Sequence, residues 1–200
     1  MTKIFFKYVI PSMLAFALSG IYAIVDGFFV GNSVGDQGLA TINLVYPLVA
    51  LIQAAGTGIG MAGAIHFAIA EGGNRMNERN RYFWITCGLL VLVSVVLTLV
   101  YLPLGGTLLR LLGAQGALES YGREYITVIT MGILFQVLGV GLVPVIRNMG
   151  KSIQAMAAMI AGFLTNILLD YVFVWMLPYG LAGAAAATVL GQAVTMIWCL

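Results

Sequence analysis

Apolar residues run in six long stretches, near 7–30, 41–69, 83–104, 122–146, 153–177 and 181–200, and charges, glycines and prolines gather in the short gaps between them. A helix needs roughly 20 mostly apolar residues to cross a bilayer, so the pattern predicts six transmembrane helices. The start of the chain, "MTKIFFKYVIPSMLAFALSG", also has the layout of a signal peptide, with Lys3 and Lys7 before an apolar core. No small-x-small cleavage site follows, and the run continues past Ala23 to Val30, so we read it as a span.

Composition agrees with this pattern and narrows it. The chain is 62% hydrophobic and 8% charged, whereas about a quarter of the residues of a soluble globular domain are charged. The expected class is therefore an all-α integral membrane protein. A net charge of +2, spread over short gaps, offers no patch for nucleic acid. Cys87 and Cys199 lie in apolar stretches without metal-ligand spacing, so they read as small hydrophobes with no disulfide expected. Neither a nucleophile paired with a base nor a recognised metal-ligand cluster is legible, so no enzyme and no cofactor is expected.

The gaps set the orientation. With the N-terminus in the cytoplasm, the inner segments hold Lys3, Lys7, Arg75, Arg79, Arg81, Arg147 and Lys151, and the outer ones only Arg110 and Arg123. The stretch "EGGNRMNERNR" at 71–81 then forms a solvated cytoplasmic loop, with lipid headgroups as the alternative ligand.

Charges inside a bilayer are costly, and two carboxylates sit in such places: Asp26 in "YAIVDGFFVGN" and Asp170 in "NILLDYVFVW". At a rise of 1.5 Å per residue, Asp26 falls roughly 8 Å and Asp170 roughly 12 Å below the outer boundary. Asn166 is one turn from Asp170 on the same helix face, and Thr188 in the sixth stretch falls roughly 10 Å inside the same boundary. Two carboxylates, an amide and a hydroxyl therefore share one level. Such an oxygen-rich set suits a monovalent cation such as sodium, or a carboxyl pair that takes up a proton. Interhelical hydrogen bonding by Asn166 and Thr188, and a helix-end role for Asp26, are the structural alternatives.

Other polar positions are less specific. His66, near the inner end of the second stretch, reads as a structural histidine of the headgroup region with a functional role as the alternative, Glu71 is a weaker candidate, and Gln53, Gln136 and Gln192 fit either cavity lining or bonding between helices. "AAGTGIGMAGA" at 54–64 predicts close helix packing through small residues. Pro11, Pro47 and Pro144 lie within apolar runs, where each removes a backbone bond and favours a kink.

The ordered set "IVDGFFVGNSVGDQGLATINLVYPL", "LLRLLGAQGALESYGREYI", "VPVIRNMGKS", "NILLDYVFVW" and "PYGLAGAAAATVLGQ" resembles the N-terminal six-helix lobe of multidrug and toxic compound extrusion (MATE) transporters, in their DinF-like branch. The resemblance implies a multi-pass protein of a bacterial or archaeal cytoplasmic membrane that exports organic, often cationic, compounds in exchange for protons or sodium. It places the cation site on Asp26, Asn166, Asp170 and Thr188, the residues that depth also selects. Tyr22, Met159 and Phe163 are candidate walls for a flat lipophilic cation, or packing residues. The family has twelve helices in two lobes, so the expected partners are drug-like cations, lipid and a second six-helix lobe, supplied by a missing half or a second copy.

The last run reaches Leu200 with no closing loop, which fits a fragment or an incomplete chain and leaves an inactive membrane subunit as one alternative. Another is a flippase for lipid-linked precursors. That cavity needs basic residues at membrane depth to hold a diphosphate, and none of the six runs has one near its centre.

Overall fold

The computed structural model describes residues 2–200, and the side chains of all of these except residues 2–8 and Phe16. Lys3 and Lys7, which carry part of the inner charge bias, fall outside the described side chains. The chain is all-α: α1 (Thr2–Ser33), α2 (Asp36–Gly72), α3 (Met76–Leu111), α4 (Ala117–Met131), α5 (Ile133–Asn148), α6 (Ser152–Asp170) continuing as one π-helical stretch (Tyr171–Met176), and α7 (Gly180–Cys199). Five of these helical segments are long and apolar enough to cross a membrane, and the bent pair α4–α5 brings the number to six if it makes one span.

α2 and α3 have 37 and 36 residues, about 55 Å each against a hydrocarbon core about 30 Å thick. Their shared end projects beyond the apolar zone, where polar chemistry takes over. Asn74 turns the chain with a positive φ of 54°, Arg79 pairs with Glu71 at 2.9 Å, and Arg75 pairs with Glu78 at 2.8 Å. The Arg79 guanidinium also lies 5.7 Å from the centre of the Phe67 ring. His66 is exposed and stacks on Tyr82 with ring centres 5.2 Å apart. At the opposite end, the turn after α3 uses Gly113 and Gly116 at positive φ, and Glu119 holds Arg110 at 2.8 Å and Arg123 at 3.0 Å. We call these the Arg79 end and the Glu119 end.

The fourth apolar run is the one that departs from a simple span. It divides at Gly132 into α4 and α5, bent by 61°. Gly132 sits against Val189 of α7, where a side chain would collide with the valine methyls. Residue 132 therefore has no room for a Cβ at this crossing.

Small residues set the helix spacing, as the 54–64 stretch suggests. A Cβ on Gly60 would fall on the carbonyl of Gly141, and one on Gly56 would lie 2.8 Å from the Val137 carbonyl, so α2 and α5 meet almost backbone to backbone. Thr86 fits over Gly63 and Leu90 over Gly141, which brings α3 into the same layer. On the other side α6 and α7 close through Gly162 against Thr195 and Gly191 against Asn166. The outer surfaces carry exposed Trp84, Leu92, Leu99, Leu102 and Ile197, the inverse of a soluble protein and the expected state of lipid-facing helices.

Candidate functional site

α1, α6 and α7 each bring a polar side chain to a point about two turns from the Glu119 end. Asp170 is the last residue of α6 before the π-helical stretch and is fully buried. In that stretch the Leu177 amide reaches five residues back to the Val172 carbonyl at 2.8 Å. The widened turn opens directly beside the carboxylate, a local irregularity that recurs at functional positions. Asp26 of α1 faces it. The two carboxyl groups approach closely enough for one to hydrogen-bond the other when one of them carries a proton.

Asn166 and Thr188 complete the set. The Asn166 amide Nδ2 donates to Thr188 Oγ1 across α6 and α7 at 3.4 Å, a reach that the glycine contact at Gly191 permits. Both residues are buried. The structure thus brings together all four residues that depth selected in the sequence.

Tyr22, one turn before Asp26, approaches Thr188 with its hydroxyl and stacks on Phe163 with ring centres 5.3 Å apart and planes 7° from parallel. Met159 lies further along the same α6 face, where Arg147 Nη2 contacts its sulfur at 3.9 Å. It is about 16 Å along the helix from Asp170 and does not join the carboxylate group.

One member was missed. Tyr125 of α4 is buried, its hydroxyl approaches Thr188, and it is near enough to Asp26, Tyr22 and Asp170 to interact with each electrostatically. It sits in the charged stretch "LESYGREYI", where tyrosine reads as an interfacial residue. The available signal was its spacing: Gly122, Tyr125, Ile126 and Ile129 form one buried helical stripe.

Above the carboxylates toward the Glu119 end, Phe29 packs edge-on against Tyr171 at 6.3 Å and Trp175 at 6.1 Å, and Phe28 stacks on Trp175 at 6.4 Å. These rings clasp α1 to the π-helical stretch and hold Asp26 opposite Asp170.

The chemical character of the site lies in what its atoms have not bonded. Asp26 Oδ1, Asn166 Oδ1 and both carboxylate oxygens of Asp170 are buried with no hydrogen-bond partner among the described residues. All four are acceptor atoms when the acids are ionised. Among the described residues, neither aspartate has an ion-pair partner, and no group of three or more His, Cys, Asp or Glu is placed to hold a metal ion. Buried acceptors of this kind are satisfied by a proton donor or by a cation. The donor set, two carboxylates, an amide oxygen and a hydroxyl, fits a small monovalent cation or a shared proton.

The family model described as MatE matches residues 11–172. The multidrug export protein MepA of Staphylococcus saprophyticus is 26% identical over 191 residues, covering 94% of this chain and 42% of that protein. MepA of Staphylococcus haemolyticus is 23% identical over 192 residues, covering 96% of this chain and 42% of that protein. The crystal structure of MATE in complex with MaD3S superposes with a TM-score of 0.93 at 28% identity, over 98% of this chain and 44% of that one. The chain thus spans less than half the length of the curated relatives it matches.

Proposed function

The chain belongs to the MatE family, and from that premise we propose that it forms one lobe of a multidrug efflux antiporter of the DinF-like branch. It exports organic, chiefly cationic, compounds by alternating access in exchange for protons or sodium. The observation that carries this reading is the cluster of buried, unpartnered oxygens on Asp26, Asn166 and Asp170, facing one another across α1 and α6.

In this mechanism the coupling ion satisfies those oxygens. A proton taken up by one aspartate lets it donate to the other, and a sodium ion would draw on the same carboxylates together with Asn166 and Thr188. Thr188 orients Asn166, and the Tyr22 and Tyr125 hydroxyls close the polar shell around it. Occupation of the site changes how α1 is held against α6, so ion and substrate influence each other only through their different affinities for the two arrangements. The stacked Tyr22 and Phe163 rings offer an aromatic wall for a flat cation, with Met159 further along the same face.

Alternating access by two lobes requires a second six-helix lobe, from a longer chain or a second copy. Coverage of 42% of MepA supports this arrangement. The setting is a bacterial or archaeal cytoplasmic membrane with the N-terminus inside, as the lysine and arginine bias of the connecting segments favours.

The test is ethidium efflux from cells expressing the natural-length gene, wild type against Asp170→Asn at matched membrane expression, with the sodium and proton gradients collapsed separately. The expected result is efflux in wild type, loss in the variant and dependence on one gradient. Wild-type efflux that survives in Asp170→Asn would remove this residue from the coupling site.

A further inference from the structure

Gln136 is the largest polar side chain among those wholly inside the lobe, at 0% exposure. Its Nε2 and its Oε1 are both buried without a hydrogen-bond partner among the described residues. It stands one turn into α5 after the bend, four residues after Gly132, which lies on Val189, and three before Gly139, which lies on Gln192. These spacings put Gln136 on the flank of α5 that turns toward α7. A Cβ on Gly139 would sit 2.8 Å from Gln192 Oε1, so the Gln192 amide lies in the same seam, one helical turn from Gln136. Gln192 is in turn one turn beyond Thr188 on α7.

The orphaned atoms here differ in kind from those at the carboxylates. At Asp26 and Asp170 only acceptors are unpartnered, which calls for a proton or a cation. At Gln136 a donor and an acceptor of one amide are unpartnered together. A cation would satisfy Oε1 and be repelled by the Nε2 hydrogens, and an anion would do the reverse. Water is the smallest common ligand that accepts from one and donates to the other.

We infer that Gln136 holds a bound water molecule in the seam between α5 and α7, and that this water extends the polar cluster at Thr188 inward toward Gln192. Its place in transport rests on the coupling site proposed above; its existence does not. Thr188, Gln192 and Thr195 recur at helical spacing down α7, and Thr195 Oγ1 contacts the Gly191 carbonyl at 3.2 Å and the Ala158 carbonyl at 3.4 Å. With water at Gln136, these groups form a stepped polar line through an otherwise apolar lobe, running from the carboxylates toward the Arg79 end. A water held there can relay a proton from one hydrogen-bonded neighbour to the next, which the fixed amides cannot do themselves.

The experiment is radiolytic hydroxyl labelling of the natural-length protein in nanodiscs, read by mass spectrometry, because radicals born from a bound water mark the side chains beside it. The expected result is prompt labelling of the α5 peptide carrying Gln136 and Val137 in wild type. In Gln136→Leu, which keeps approximate size but removes donor and acceptor, labelling falls to the level of lipid-facing Leu92. Wild-type labelling no higher than at Leu92, or labelling unchanged in the variant, would overturn the inference. Thermal stability gives an independent reading: Gln136→Met and Gln136→Leu are expected to lower the melting temperature, whereas a dry, unsatisfied amide would be relieved by either change and the temperature would rise. Asp170→Asn separates the two proposals, since labelling at Gln136 is expected to persist in it whether or not efflux is lost.

Discussion

Two regions of this lobe handle buried polar groups in opposite ways. In the layer of α2, α3 and α5, the buried serine and threonine hydroxyls turn back on their own helices: Thr86 Oγ1 donates to the Tyr82 carbonyl and Ser94 Oγ to the Leu90 carbonyl, both at 2.7 Å and four residues away. The helices there hold together through glycine contacts at Gly56, Gly60, Gly63 and Gly141. Between α1, α6 and α7, polar side chains reach across helices, as Asn166 does to Thr188, or stop short of any partner, as Asp170 does. In the hydrocarbon of a bilayer no bulk water is at hand to mend an unmade hydrogen bond, so an open polar atom calls for a bound proton, ion or single held water. A region that leaves four acceptors open is therefore shaped for a ligand, and a region that closes its serine and threonine hydroxyls locally is shaped for packing.

The strongest way to break this contrast is to exchange the roles. Asp170→Asn keeps shape and volume and, on the proposed function, is expected to reduce efflux by the natural-length protein to the level of cells lacking the gene. Its melting temperature should be no lower than wild type, because an unpaired buried carboxylate contributes little to stability. Gly60→Val should do the reverse. Its side chain would land on the Gly141 carbonyl, an overpacking expected to cost about 3 kcal/mol. Folded yield in detergent should fall, with efflux per folded molecule unchanged. A stable Gly60→Val protein would mean that the α2–α5 layer can separate at little cost, and the scaffold reading would fail.

What could be read in advance follows the same division. Apolar runs separated by charge fix helix number and extent, because a bilayer admits few other solutions. Asp26 and Asp170 were legible because a carboxylate inside such a run has a high cost to explain. Asn166 and Thr188 gained weight only by sharing their depth, since either residue type alone serves equally as interhelical glue. The bend at Gly132 was not legible, because it depends on Val189 crossing at that point, a contact some 57 residues away in sequence. The π-helical stretch after Asp170 leaves no mark in "YVFVWM", whose residues are ordinary for a membrane helix. Tyr125 was hidden by its neighbours, three of which are charged. Gln136 was visible as a polar residue but not as an unpartnered one, since partnership is a property of the other helices.

A milder substitution sharpens the contrast within the scaffold. The Tyr101 hydroxyl of α3 donates to the Leu48 carbonyl of α2 at 2.9 Å and is buried. It is a hydrogen bond between helices in a region where the other hydroxyls bond within one. Tyr101→Phe should cost about 1 kcal/mol, read by denaturant unfolding in detergent, with efflux unchanged. A loss of efflux would extend the functional network into α3.

Ser94→Ala is the smallest change and the most direct test of local closure. The Ser94 hydroxyl is buried and its acceptor is a carbonyl four residues back in α3. That carbonyl belongs to the helix ladder, so removing the hydroxyl leaves no acceptor orphaned and opens only a small space. The expected loss is below about 0.6 kcal/mol, the average for polar contacts measured inside a membrane protein. Alanine also removes the competition between side chain and ladder for the Leu90 carbonyl, which works against even that loss. If Ser94→Ala cost as much as Tyr101→Phe, the hydroxyl would have to be bonding beyond its own helix. Locally closed hydroxyls would then no longer distinguish packing from function, and the unpartnered oxygens of Asp26 and Asp170 would have to carry that distinction alone.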